Sequence, residues 1–380
     1  MKEKIKAYVE AHREELFSLL HDLCVIPAPS HFEDRRAEFC KAWLEAAGAT
    51  GVYIDEAKNV VFPYGCEDSR EITVFAAHTD TVFPDTDTMP YVDDGEKIHC
   101  PGVGDDTANV VVLMLSAKFL MEQGMVPKGG ILFVCNSCEE GLGNLKGCRQ
   151  IFRDYAGRVK QFISFDGYFR ELSDRCVGSH RYEVEVRTGG GHSWSRFGAK
   201  NALAELAEMI TRIYAIEVPH VGDSRTTYNV GTVEGGTSIN TIAQSAKMLC
   251  EYRSDNEECL AIMEDHFKRI FCEAQKEGVE ISAVRVGERP CMGKVDRNAI
   301  AQIRETVQDV VAEVTGVYAE PTAMSTDCNI PFSLGVPAIM IGVCDGGGAH
   351  TREEWIKKDN FHLGLEVGIK LMLALTEVEK

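Results

Sequence analysis

The sequence lacks the long hydrophobic run that a membrane-spanning protein needs. Its longest unbroken apolar stretch, from Val110 to Leu115, ends at Ser116. That is far short of the roughly 20 residues of a membrane-spanning helix. The first residues also lack the continuous apolar core of a signal peptide, and their apolar positions follow a helical spacing instead. We therefore expect a cytoplasmic protein with no membrane partner.

Basic residues are too few to suggest binding to nucleic acid. The chain has 40 Lys and Arg against 59 Asp and Glu, so its formal net charge is −19. A surface of this sign repels a phosphate backbone, and we expect no nucleic-acid partner. Internal repeats and Pro- or Ser-rich linkers are also missing. A chain of 380 residues nevertheless leaves room for more than one domain.

Cysteine, by contrast, is plentiful. The 14 cysteines are scattered and several lie in apolar runs, which favours reduced, buried thiols over a disulfide scaffold. Cys135 and Cys138 form a CxxC pair, but two glutamates follow it where a redox motif would open a helix. A thiol–disulfide oxidoreductase built on this pair would leave the histidine and acidic motifs described below unexplained.

Buried strands alternate with helices at both ends of the sequence. Continuous apolar runs predict strands at 72–77, 131–135, 162–165 and 337–343, and helical periodicity predicts helices at 109–122 and 298–314. Apolar strands separated by helices are typical of a mostly parallel sheet that is covered on both faces.

Between residues 181 and 288 the pattern changes. The predicted elements there are strands at 182–187, 227–233, 246–253 and 279–286 and helices at 202–213 and 259–276. Their order, β-α-β-β-α-β, is that of a ferredoxin-like module. We therefore predict an α/β fold in which a catalytic domain (1–180 and 289–380) is interrupted by an inserted ferredoxin-like domain (181–288).

Side chains that can bind metal follow the predicted buried strands. The motifs are His78-Thr79-Asp80, Glu139-Glu140-Gly141, Asp166-Gly167 and Gly346-Gly347-Gly348-Ala349-His350, with Gly104-Asp105-Asp106 just before the helix at 109–122. Ligand sites of open α/β sheets form at the carboxyl ends of the strands. Each motif alone is typical of a turn or a solvated pair, but together they predict a metal site. Histidine and carboxylate ligands suit Zn²⁺, with Mn²⁺ or Co²⁺ as substitutes.

The motifs resemble those of the co-catalytic di-zinc peptidase and deacylase family. That family includes peptidase T, glutamate carboxypeptidase, acetylornithine deacetylase and succinyl-diaminopimelate desuccinylase. The resemblance rests on residues 77–82, 102–106, 139–143, 165–167 and 349–350 and covers essentially the whole chain. It implies two divalent metal ions, zinc first among them. It also implies that the inserted domain is a lid through which the protein forms a homodimer.

The resemblance implies a role for each residue of the metal motifs. His78 and Asp166 would bind one metal ion, and Glu140 and His350 would bind the other. Asp105 would bridge the two ions.

Catalysis would depend on two neighbours of these ligands. Glu139 would be the general base and acid that acts on a metal-bridged water. Asp80 would orient the imidazole of His78. The resemblance also implies a cis peptide bond between Asp105 and Asp106.

Three residues of the inserted domain complete the expected site. His192 would reach the active site of the partner subunit and stabilise the oxyanion. Asn240 would lie near the substrate, and Arg253 would clamp a substrate carboxylate. The alternatives are a surface turn for His192 and a strand-end salt bridge for Arg253. Thr107 stands where many relatives carry lysine, at a position that does not bind metal.

We therefore expect a metallopeptidase that cleaves the amide bond of small peptides, with peptidase T as the nearest type. A carboxypeptidase or a deacylase of N-acyl amino acids is the alternative within the family. A catalytically silent metal-binding protein is a more remote alternative, disfavoured because both Glu139 and Glu140 are present.

Overall fold

The computed structural model describes residues 1–379 and divides the chain into two compact units. The first unit is formed by residues 1–176 together with the chain from residue 293 onwards, and the second by Val177–Met292. The inserted domain predicted at 181–288 lies within the second unit.

The first unit is built on an eight-stranded sheet. From one edge to the other its strands are Tyr53–Ile54, Val60–Tyr64, Ile131–Asn136, Ile72–His78, Val159–Phe165, Ala338–Ile341, Leu172–Cys176 and Pro321–Met324. Four of the seven pairings are parallel, including both pairings of the central strand Ile72–His78. The predicted α/β fold with a mostly parallel sheet is confirmed.

Helices cover this sheet. They are Lys2–Ala11, Arg13–Cys24, Asp34–Ala46, Ala108–Glu122, Lys146–Asp154, Arg297–Thr315, Asn329–Ser333 and Phe361–Leu375. The helix Ala108–Glu122 is buried over almost its whole length and packs against Phe361–Leu375. Gly364 allows the helix Phe361–Leu375 to lie close to the backbone of Val343, because a Cβ at this position would lie 1.9 Å from the carbonyl oxygen of Val343. The expected N-terminal helical region is interrupted at His12 and forms two helices.

Short elements complete the first unit. They are the small sheet of Val92–Asp93, Lys97–His99, Gly346–Gly347 and Trp355–Lys357, the pair Val126–Pro127 and Val378–Glu379, the π-helical turn Val103–Thr107 and the 3₁₀ turn Gly141–Gly143. The small sheet and the π-helical turn carry residues of the site described below.

The second unit has the element order β-α-β-β-α-β that the sequence predicts. Its antiparallel sheet consists, from edge to edge, of Thr226–Gly235, Ser245–Ser254, Gly178–Thr188 and Val279–Arg289, and its helices are Ala202–Tyr214 and Glu257–Ala274. Buried side chains such as Val184, Tyr252 and Phe267 form the core of this unit. The strands Gly191–His192 and Thr241–Ile242 form a separate two-stranded ribbon.

Within residues 1–379, no helix is both long and apolar enough to cross a lipid bilayer.

Candidate metal centre

Three of the predicted motifs meet at the carboxyl end of the main sheet. His78 ends the central strand and is paired with Asn136, at the end of the neighbouring strand. Glu139 and Glu140 follow that neighbour, and Asp166 follows the parallel strand on the other side. The parallel register therefore brings these side chains to one edge of the sheet.

The other two predicted ligands come from turns. Asp105 lies in the π-helical turn Val103–Thr107. His350 lies between the short antiparallel strands Gly346–Gly347 and Trp355–Lys357. These ligands are separated in the sequence by more than two hundred residues, and the fold brings them into contact.

The carboxylate of Asp105 lies at the middle of the cluster. Its Oδ1 is 3.0 Å from Nε2 of His78, and its Oδ2 is 3.2 Å from Nε2 of His350. Nε2 of His350 is also 3.1 Å from Oε1 of Glu140. The two oxygens of Asp105 thus face two different histidines, as a carboxylate shared by two metal sites requires.

The cluster contains two ligand triplets that share Asp105. Donor atoms lie within 4.8 Å of one another in His78–Asp105–Asp166 and in Asp105–Glu140–His350, and a further triplet is His78–Glu139–Glu140. The structure therefore brings together all five residues predicted as ligands. Two imidazoles and three carboxylates are a donor set that fits Zn²⁺, Mn²⁺ or Co²⁺.

The electrostatics of the cluster also fit divalent cations. Burial, together with the nearby carboxylates of Asp105 and Glu139, raises the pKa of Glu140 to about 7, although its hydrogen bond with His350 opposes the rise. Burial also raises the pKa of Asp166 well above its usual range, again with contributions from Asp105 and Glu139. Ionised carboxylates crowded into a low-dielectric site repel one another, and bound cations relieve that repulsion.

Asp80 supports both His78 and the Glu139–Glu140 segment. The backbone oxygen of Asp80 lies 3.1 Å from Nδ1 of His78, and its Oδ1 lies 3.4 Å from the same nitrogen. The same carboxylate accepts the backbone N–H groups of Glu139 and Glu140, each at 3.0 Å, and the Ser30 hydroxyl at 2.6 Å. The sequence predicted only the contact with His78.

The turn that carries Asp105 is held by a residue that the sequence analysis missed. Glu354 is fully buried and accepts hydrogen bonds from the backbone N–H groups of Gly102, Gly104 and Asp105. It follows His350 by four residues, but Glu353-Glu354 reads as an ordinary solvated pair in the sequence. The peptide bond between Asp105 and Asp106 is cis, as the resemblance implied.

His192 lies in one strand of the ribbon in the second unit, and Asn240 immediately precedes the other strand. His192 is paired with Thr241, and the backbone oxygen of Asn240 accepts the N–H of Ser193 at 2.9 Å. Nδ1 of His192 accepts the N–H of Trp194 at 3.3 Å. This bond leaves Nε2 as the donor of the neutral ring.

Arg253 is already engaged within the second unit. Its guanidinium donates to both carboxylate oxygens of Glu251, at 2.7 and 3.1 Å. This is the salt bridge that the sequence analysis named as the alternative to a substrate clamp. A substrate carboxylate would have to compete with Glu251 for Arg253.

The CxxC pair does not have the properties of a redox centre. All 14 cysteines are free. Burial, together with the neighbouring Glu33 carboxylate, raises the pKa of Cys138 to about 12. A hydrogen bond with Cys40, together with burial, raises the pKa of Cys135 well above its usual range. Redox-active cysteines need a thiolate, and these environments disfavour it.

Comparison with known proteins identifies relatives of this chain. The model of peptidase family M20/M25/M40 matches residues 74–374. A peptidase M20 domain-containing protein of Schizosaccharomyces pombe is 26% identical over 266 residues, which cover 67% of this chain and 64% of that protein. The succinyl-diaminopimelate desuccinylase of Corynebacterium glutamicum is 23% identical over 348 residues, covering 88% of this chain and 90% of the relative.

Solved structures show the same fold. A tripeptidase from Staphylococcus aureus superimposes with a TM-score of 0.74 at 20% identity, over 96% of this chain and 99% of that one. A dinuclear metal-binding peptidase of the M20 family from Bacillus subtilis superimposes with a TM-score of 0.64 at 15% identity, over 97% and 99% of the two chains.

Replacing Asp105 with asparagine should lower the metal content of the protein. The amide is neutral and has one oxygen, so at most one triplet keeps this ligand. We expect Asp105→Asn protein prepared with zinc to retain about half of the wild-type metal or less, as measured by inductively coupled plasma mass spectrometry. Asp309→Asn, at an exposed helical position, is the matched control. Wild-type metal content in the Asp105 variant would contradict a shared carboxylate.

Proposed function

Because the chain belongs to peptidase family M20/M25/M40, and so to a family of enzymes that hydrolyse amide bonds, we propose that it is a two-metal peptidase that acts on small peptides. The observation that carries the proposal is the Asp105 carboxylate, which lies between His78 and His350 with Glu139 in the same cluster. His78 and Asp166 would hold one cation, Glu140 and His350 the other, and Asp105 both. We propose zinc, with Mn²⁺ or Co²⁺ as substitutes.

The cations would supply Lewis-acid activation of the scissile carbonyl and of the attacking water. Glu139 would take the proton from that water and return it to the leaving nitrogen. Asp80 supports this step because its carboxylate holds the backbone N–H of Glu139. His192 would donate a hydrogen bond from Nε2 to the oxyanion. The bond that Nδ1 accepts from the Trp194 N–H favours the tautomer with its proton on Nε2.

The contacts of Arg253 bear on the alternative functions. A carboxypeptidase or deacylase needs an anchor for a substrate carboxylate, and the relatives include a succinyl-diaminopimelate desuccinylase. Arg253, the proposed anchor, is bound by Glu251 at both oxygens. The likeness to a tripeptidase and the engagement of Arg253 together favour a peptidase of peptidase T type. A catalytically silent protein would not need the carboxylate of Glu139 in the cluster.

We further propose that the protein works in the cytoplasm as a homodimer formed through the second unit, with His192 acting in the partner's site. The net charge of −19 disfavours nucleic acid as a partner. Asn240 is proposed to lie near the substrate, since it is adjacent to the ribbon that contains His192 and its backbone oxygen accepts the N–H of Ser193.

Glu139→Gln should separate catalysis from metal binding. Glutamine keeps the size of the side chain but cannot accept the proton, so we expect turnover to fall by about 10²–10⁴-fold. Metal content should stay near wild type, because neither Asp105-centred triplet includes Glu139. Glu305→Gln, on an exposed helical surface, is the control and should keep full activity. Turnover retained in the Glu139 variant would contradict its assignment as the base.

A substrate panel tests the proposed specificity. Zinc- or manganese-loaded protein is incubated with dipeptides, tripeptides, amino-blocked peptides and N-acyl amino acids, and the released amine is measured against the Glu139→Gln background. We expect cleavage of di- and tripeptides with a free amino terminus. Preferential cleavage of N-acylated substrates with a free carboxylate would contradict the aminopeptidase assignment and identify a carboxypeptidase or deacylase anchored by Arg253.

A further inference from the structure

Glu354 binds the turn that carries Asp105 through three hydrogen bonds. Its side chain is completely buried, with 0% exposed. Oε2 accepts the N–H of Gly102 at 2.7 Å, and Oε1 accepts the N–H groups of Gly104 and Asp105, each at 2.8 Å. Hydrogen bonds from backbone amides to a carboxylate are stronger than neutral ones, and more so in a low-dielectric interior.

The segment that ends in Glu354 also carries His350. The side chain of His350 is 58% exposed and reaches Asp105 and Glu140. Four residues later, the backbone oxygen of Glu354 accepts the N–H of Cys100 at 3.3 Å, and the strand Trp355–Lys357 begins. That strand is anchored by pairing with Lys97–His99. One short segment therefore presents one ligand and holds the backbone of another.

The two glycines whose N–H groups Glu354 accepts have no space for side chains. A Cβ on Gly104 would lie 2.4 Å from a ring carbon of Tyr168, and a Cβ on Gly102 would lie 2.5 Å from the methyl carbon of Thr81. Gly102 also has a φ of 78°, in the left-handed region that favours glycine. Gly102 and Gly104 therefore offer only backbone groups at these positions, and Glu354 accepts their N–H groups.

We propose that Glu354 is a positioning residue that fixes Asp105 relative to His350 and thereby prepares the centre for its two cations. The inference rests on the proposed function, because it concerns the same metal centre. Without the Glu354 side chain, three backbone N–H groups would lose their acceptor and the turn would relax. The two oxygens of Asp105 would then no longer face His78 and His350 together. Mutation of a residue that holds a metal ligand in place typically lowers the affinity for the metal by about 10–100-fold.

The test measures zinc binding rather than turnover. Metal-free wild type, Glu354→Gln and Glu354→Asp are titrated with Zn²⁺ against a chromophoric chelator, and circular dichroism establishes that each protein is folded. We expect Glu354→Gln to bind zinc about 10–100-fold more weakly than wild type. Glu354→Asp should lie between the two, because it keeps the charge but is one methylene shorter. Glu353→Gln, at the adjacent exposed position, is the matched control and should bind as wild type does.

The outcomes separate this inference from the proposed function. Wild-type zinc affinity in folded Glu354→Gln would overturn the positioning role and leave the metal centre intact. If that variant does not fold, Glu354→Asp decides, and wild-type affinity there would overturn the inference. Failure of the wild-type protein itself to bind zinc would overturn the proposed function instead.

Discussion

One partly buried carboxylate, that of Asp105, links the two halves of the site. Its oxygens face the imidazoles of His78 and His350 at 3.0 and 3.2 Å, and these histidines belong to separate parts of the first unit. A carboxylate shared in this way can hold two cations close enough to act on one bond. It also concentrates negative charge, since Glu140 and Asp166 lie in the same buried cluster. Bound cations would relieve the repulsion among these carboxylates.

The fold maintains this arrangement through the backbone as much as through side chains. Parallel pairing brings His78 next to the segment that contains Glu139, and Asp80 then holds that segment by its N–H groups. Glu354 likewise holds the turn that contains Asp105, by accepting its backbone N–H groups. Two buried carboxylates that accept backbone N–H groups thus hold the segments that contain the proposed base, Glu139, and the proposed shared ligand, Asp105. This type of support gives a preorganised site.

Much of this could be predicted from the sequence, for a physical reason. An apolar run followed by a polar residue, such as His78 or Asp166, predicts where a strand ends, because both features are local in the sequence. The role of Glu354 could not be predicted, since its partners are backbone N–H groups from a turn 250 residues away. The same holds for Ser30, whose contact with Asp80 depends on tertiary packing. The sequence suggested a salt bridge for Arg253, but only the structure identifies its partner as Glu251.

Anomalous X-ray diffraction can show whether two metal ions share the Asp105 carboxylate. Crystals grown with zinc are measured above and below the zinc absorption edge. We expect two anomalous peaks about 3.5–4 Å apart. One should lie near His78 and Asp166 and the other near Glu140 and His350, with the Asp105 carboxylate between them. A single peak, or two peaks without Asp105 between them, would contradict a carboxylate shared by two cations.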